Sequence, residues 1–180
     1  MSNFDIVSKL FHEHIEYLSL SADAIADVCD TAAAHLASAI ISEKKVFSIG
    51  VGLDSSTALS FSQLIRDGVW LERPSLPVIE LTAARAEPID AGISWVAREL
   101  KGLGQPDDVA VIWGSQLTPD NVNTLSAAAE QRNMQVFWIG TQGPTMSLSF
   151  TESDAQMRYS LSNIAALTMA RVVETHLFGA

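Results

Sequence analysis

The sequence predicts an α/β fold: a three-layer α/β/α sandwich built on a parallel sheet and preceded by two N-terminal helices. Three observations predict it. Short β-rich runs alternate with amphipathic helical stretches from residue 44 onward. The runs are apolar throughout instead of alternating, as strands buried on both faces are. Polar turns containing glycine follow the first and third runs, at the ends where parallel sheets bind ligands.

Each element has its own grounds. In residues 4–20, Val7, Leu10, Phe11, Ile15 and Leu18 recur at three- and four-residue spacing, which reads as a helix. Residues 21–42 carry Ile25, Val28, Cys29, Ala32, Leu36, Ala39 and Ile40 on one stripe, and Ser21 followed by Asp23 reads as the start of a second helix. A first strand over 46–49 runs into Gly50-Val51-Gly52, and a helical pattern then extends to Leu64. A second strand is expected over 76–81 with Pro77 at its beginning, followed by a helix over 90–100. The third strand, 109–113, enters Gly114-Ser115-Gln116. Thr118 is placed to cap a helix over 119–131 that has Pro119 in its first turn. A fourth strand covers 136–139, a weaker one 155–159, and a last helix 161–176. The whole, 1–180, reads as one domain, with 1–43 a helical pair and 44–180 the sandwich.

Composition excludes several classes of function. Acidic residues outnumber Lys and Arg by 21 to 11, a net charge of −10, so direct nucleic-acid binding is not expected. The single cysteine, Cys29, can form neither an internal disulfide nor a cysteine-based zinc site, and its place on an apolar stripe makes it a core residue. His12 and His14 are two apart on a helix and point to nearly opposite faces, so no metal site is expected, and no cofactor. The opening residues lack a signal-peptide pattern, and no uninterrupted apolar run is long enough to cross a membrane. A cytoplasmic protein without a membrane partner is the expectation.

Two turns carry the candidate site. In Gly50-Val51-Gly52-Leu53-Asp54-Ser55-Ser56, glycines permit a tight turn, and hydroxyls with free N–H groups at a helix start can hold an anion. The dinucleotide fingerprint fails because Ser55 stands where its third glycine belongs, and an ordinary tight turn explains the segment equally well. Asp54 argues against strong phosphate binding, since a carboxylate among the donors repels the ligand. In the second turn, Ser115, Gln116 and Thr118 could donate to phosphate or sugar oxygens. The ligand-binding candidates are therefore Gly50, Gly52, Asp54, Ser55, Ser56, Ser115, Gln116 and Thr118; spacing alone assembles no catalytic set.

At these turns the chain resembles the sugar isomerase (SIS) domain family, in the branch of phosphoheptose isomerase and the DnaA initiator-associating protein. The resemblance runs through VFSIGVGLDSSTALSFSQL, ERPSLPVIEL, GLGQPDDVAVIWGS and RNMQVFWIGT. It implies a five-stranded parallel sheet, with the leading helices packed between the subunits of a homodimer or homotetramer. It also implies a sugar-phosphate ligand. Gly50 and Gly52 match the first family loop, but its asparagine has become Val51 and its serine Asp54. In the second loop only Ser115 keeps its hydroxyl in place. The isomerases' catalytic glutamate falls on Gln63, and the glutamate and histidine entering their last helix fall on Ser160 and Ser162. Two short segments of the family pattern are absent, one before the 90–100 helix and one before Ser162. Glutamine cannot act as a general base. The resemblance thus implies a phosphosugar-binding or regulatory protein without catalysis, the alternatives being an active sedoheptulose 7-phosphate isomerase with a rearranged site and a purely oligomeric domain with a closed pocket. The Leu177-Phe178 ending is similar to that of the initiator-associating protein and implies a DnaA-type protein partner.

Overall fold

The computed structural model describes residues 2–84, 88–150 and 153–179. Its first finding corrects the expected helical pair. One continuous helix, α1 (Asn3–Ile41), replaces it. Ser21 caps nothing: neither proline nor glycine interrupts the chain around it, so the helical hydrogen bonds run through. The start is fixed at Ser2, whose hydroxyl accepts from Asp5 N while the Asp5 carboxylate accepts from Ser2 N. The helix also contains a stretch long and apolar enough to cross a membrane, which a count of uninterrupted runs overlooked. Within the fold, its second half packs as a core helix: Cys29, Ala32, Ala33 and Leu36 are buried.

From there strands and helices alternate as expected: β1 (Val46–Val51), α2 (Asp54–Asp67), β2 (Ile79–Ala83), α3 (Ile89–Leu103), β3 (Val109–Trp113), α4 (Pro119–Glu130), β4 (Gln135–Ile139), β5 (Ser147–Leu148) and α5 (Ala155–Phe178). The five strands form one parallel sheet in the order β2-β1-β3-β4-β5. Two elements differ from expectation. β2 begins past Pro77, whose missing N–H cannot join a ladder. The fifth strand is not 155–159 but the two-residue β5. Residues 155–159 are the first turns of α5, because the Asp154 carboxylate accepts from Met157 N and starts a helix there.

The period of two along the strands divides the core. Val109, Val111 and Trp113 face α1, α2 and α5, whereas Ala110 and Ile112 face α3 and α4. Trp113 and Trp138 are fully buried, one on each side, and each such side chain contributes on the order of 1.5–3 kcal/mol. Trp113 Nε1 donates to Ser48 Oγ at 3.1 Å and Ser48 donates to Ala58 O at 2.9 Å, so the indole N–H and the Ser48 hydroxyl are both paired. The sheet order places β1 and β3 side by side with connections leaving to opposite faces. Their C-terminal ends therefore frame the crevice where open α/β sheets bind ligands.

Candidate functional site

The turn after β1 depends on Gly50. A Cβ there would lie 2.3 Å from the Asp54 carbonyl oxygen, so only hydrogen fits. Gly52 takes a left-handed φ of 63° and swings the chain into α2. Two hydroxyls expected to face a ligand are then turned back on the turn itself. Ser55 Oγ donates to Gly50 O at 2.9 Å, and Ser56 Oγ donates to Leu53 O at 2.7 Å. Ser56 also meets the Tyr159 hydroxyl at 2.9 Å, which ties α2 to α5.

The turn after β3 closes on Asp54. Ser115 Oγ donates to Asp54 Oδ1 at 2.6 Å, and the backbone N–H groups of Ser115 and Gln116 favour the charged form of this carboxylate. Asp54 has no solvent exposure, and its Oδ2 has no hydrogen-bond partner. Burial pushes its carboxyl above the ordinary aspartate range. The Ser115 and Gln116 donors and the positive charge of Arg158 pull the other way without cancelling burial. The second loop thus holds an anion, and the anion is the chain's own.

The remaining candidates divide. Thr118 is outside the crevice chemistry: its side chain accepts from Asn121 N at 3.3 Å and caps α4, as the sequence predicted. Ser162 is fully buried and donates to Arg158 O at 2.8 Å, whereas Gln63 is exposed on α2. Leu177 packs partly against the core, and Phe178 is 45% exposed with the Arg73 guanidinium 5.6 Å from its ring centre. Among the described residues no group of three His, Cys, Asp or Glu side chains is arranged to hold a metal. The Cys29 thiol is pushed by burial up to about 12 and is inert at neutral pH.

Two features escaped the sequence reading. Arg158, in the first turns of α5, donates from Nε to Ser115 O at 2.9 Å and from Nη1 to Ser153 O, so it braces the Ser115 loop. Glu174 and Arg73 form a buried ion pair at 3.1 Å. Neither had a signal, because both join residues far apart in the chain by packing of α5 alone.

The sheet order, the two turns over β1 and β3 and the long leading helix match the fold that the resemblance to the sugar isomerase (SIS) domain class implies. The comparisons with known proteins narrow this further. No family model matches the chain. A phosphoheptose isomerase of Alkalilimnicola ehrlichii is 29% identical over 98% of this chain and 91% of its own length, and one of Methylococcus capsulatus is 26% identical over the same shares. Among solved structures, a phosphoheptose isomerase from Francisella tularensis superposes with a TM-score of 0.84 at 19% identity, covering 97% of this chain and 100% of the other. Phosphoheptose isomerase GmhA from Neisseria gonorrhoeae gives 0.81 at 15%, with the same coverage. In sequence and fold together the chain is similar to the phosphoheptose isomerases.

Proposed function

We propose that this chain is a non-catalytic relative of the phosphoheptose isomerases, a cytoplasmic binding or regulatory oligomer. The observation that carries the reading is the state of Asp54. Moving a proton between adjacent carbons of a sugar requires a base that reaches the substrate. The carboxylate at the crevice is sealed from solvent and bound by Ser115 and Gln116. The positions aligned with the isomerases' acid and base are an exposed amide, Gln63, and a buried hydroxyl, Ser162. Purified protein incubated with sedoheptulose 7-phosphate is expected to give no isomerisation above the uncatalysed background. Turnover at an enzyme-like rate would sink the reading.

One observation favours a second reading, an active isomerase with a rearranged site. Asp54, with its raised carboxyl and a free Oδ2, has the character of a general base. It would need the Ser115 loop to move aside before a substrate could touch it. If the assay shows turnover and Asp54→Asn abolishes it, this reading replaces the first. A sugar phosphate held at Gly50, Gly52, Ser115 and Gln116 would likewise require Asp54 to give up its donors.

Self-association rests on α1. Phe4, Val7, Leu10, Phe11 and Ile15 are 48–79% exposed along its first half, and Leu20 is 80% exposed. A second copy covering this stripe accounts for an apolar surface that a monomer would leave in water. Light scattering is expected to give a dimer or tetramer for the wild type and a monomer for Leu10→Asp/Phe11→Asp. A wild-type monomer at micromolar concentration would remove the proposal. For a DnaA-type partner, the exposed Phe178 is the available contact and the half-buried Leu177 its support. Capture of DnaA is expected to weaken at least tenfold in Leu177→Ala/Phe178→Ala; equal capture would exclude the contact.

A further inference from the structure

A cleft of about 150 Å³ opens one strand over from Asp54, above the C-terminal ends of β3 and β4. Its polar rim is Ser115, Thr141, Gln142, Ser149 and Arg158, and its apolar wall is Leu117 and Phe150. Arg158 is what makes it chemically distinct. In a chain of net charge −10, this guanidinium is partly buried, and both of its hydrogen bonds go to neutral carbonyls, Ser115 O through Nε and Ser153 O through Nη1. No carboxylate among the described residues lies within ion-pair distance of it, and no hydrogen bond among them uses its Nη2. The charge of Asp54 acts on it only from farther away.

The neighbouring donors are also unspent. Among the described residues, neither the Thr141 hydroxyl nor the backbone N–H of Thr141 or Gln142 has a hydrogen-bond partner, whereas the adjacent Gly140 N–H is used on Leu148 O at 2.8 Å. The left-handed Gly140, at φ 87°, turns the chain out of β4 and presents these groups at the sheet's ligand-binding rim. A fixed guanidinium with an open nitrogen, a free hydroxyl and free backbone N–H groups around a small cleft is the donor set that a tetrahedral oxyanion takes.

We propose that this cleft, outside the Gly50 and Asp54 turn, binds a phosphate group, either free phosphate or a short phosphate monoester. Arg158 Nη2 and Thr141 hold the oxygens, and the carbon chain of an ester lies on Leu117 and Phe150. A cleft of about 150 Å³ suits a phosphate with a short tail. The site does not depend on whether the protein isomerises sugars, because Asp54, Gln63 and Ser162 take no part in it.

Isothermal titration with inorganic phosphate and with glycerol 3-phosphate tests it, on wild type, Arg158→Gln and Thr141→Val. Wild type is expected to bind at least one of the two. Tighter binding of glycerol 3-phosphate identifies an ester as the ligand, and equal or tighter binding of phosphate identifies the free ion. Arg158→Gln is expected to weaken binding at least tenfold. Because Arg158 also braces two carbonyls, Thr141→Val, which removes a hydroxyl that supports nothing else, is expected to weaken binding about threefold with the thermal midpoint unchanged. No binding of either probe to folded wild type overturns the proposal, as does undiminished binding to both variants. A sedoheptulose 7-phosphate assay on the same preparations reports separately on the catalytic question.

Discussion

Replacing Glu174 with alanine is expected to cost about 3–5 kcal/mol of folding stability, the range for breaking a buried ion pair from one side. Glu174 is fully buried near the end of α5 and accepts from Val69 N at 2.8 Å, Trp70 N at 3.2 Å and Arg73 Nε at 3.1 Å. Its removal leaves two N–H groups without an acceptor and a guanidinium, 3% exposed, without a counter-charge. Arg73 itself also donates to Ile65 O at 2.8 Å, and the Arg171 guanidinium lies 4.7 Å above the Trp70 ring. The whole segment between α2 and β2 is therefore fastened to the last helix through one carboxylate. Urea denaturation measures the loss; a change below 1 kcal/mol would show that the clamp is not needed.

The same carboxylate sets a pH dependence. Burial alone would push Glu174 up, but the N–H groups of Val69 and Trp70 and the Arg73 guanidinium together outweigh it and hold it below the ordinary glutamate range. The native state thus binds fewer protons than the unfolded state between its lowered value and the unfolded value of about 4.3. The contribution is complete above the unfolded value and disappears as the pH falls through the folded one. The stability gap between wild type and Glu174→Gln should be constant from pH 7 to 5 and narrow below pH 4. A gap that widened on acidification would contradict the assignment.

Gly50→Ala is the second large effect expected, about 3 kcal/mol or more. The added methyl would meet backbone atoms of Asp54 and Ser55, at 2.3 Å and 2.9 Å from the nearest of each, and a rigid turn cannot yield as a flexible side chain would. The φ of Gly50 is not left-handed, so the penalty is one of space alone. Gly52→Ala meets the opposite case, with contacts no closer than 3.4 Å but a φ of 63°, and about 1 kcal/mol is expected there. Thermal unfolding of the two variants side by side checks the ranking.

Much of this architecture was legible because parallel strands must be apolar on both faces and must alternate with helices. The runs at 46–49, 109–113 and 136–139 met that requirement and lie within β1, β3 and β4. The two-residue β5 could not be seen, since two residues at a sheet edge carry no pattern of their own. Ser21 misled because serine both caps helices and sits inside them at little cost. For the site, the sequence and the family resemblance brought the two turns to one crevice and singled out Asp54 as foreign to it. They did not foresee that Asp54 would be clasped by Ser115 and Gln116, or that Arg158 would brace the same loop. Those contacts are set by how α2 and α5 dock on the sheet, which no local pattern encodes.

The continuity of α1 has a consequence for how the molecule comes together in time. A straight helix of 39 residues extends roughly 58 Å, farther than the sheet can support. Only from Tyr17 onward does it pack against the core of the strands. The turns before Tyr17 pack no apolar side chain against that core to offset their ordering entropy and must take their rigidity from association. Folding of the body and stiffening of this arm are then separate events with different orders in concentration. Amide exchange in residues 4–16 should slow with protein concentration while exchange in β1 and β3 stays constant, so the arm itself records the state of assembly.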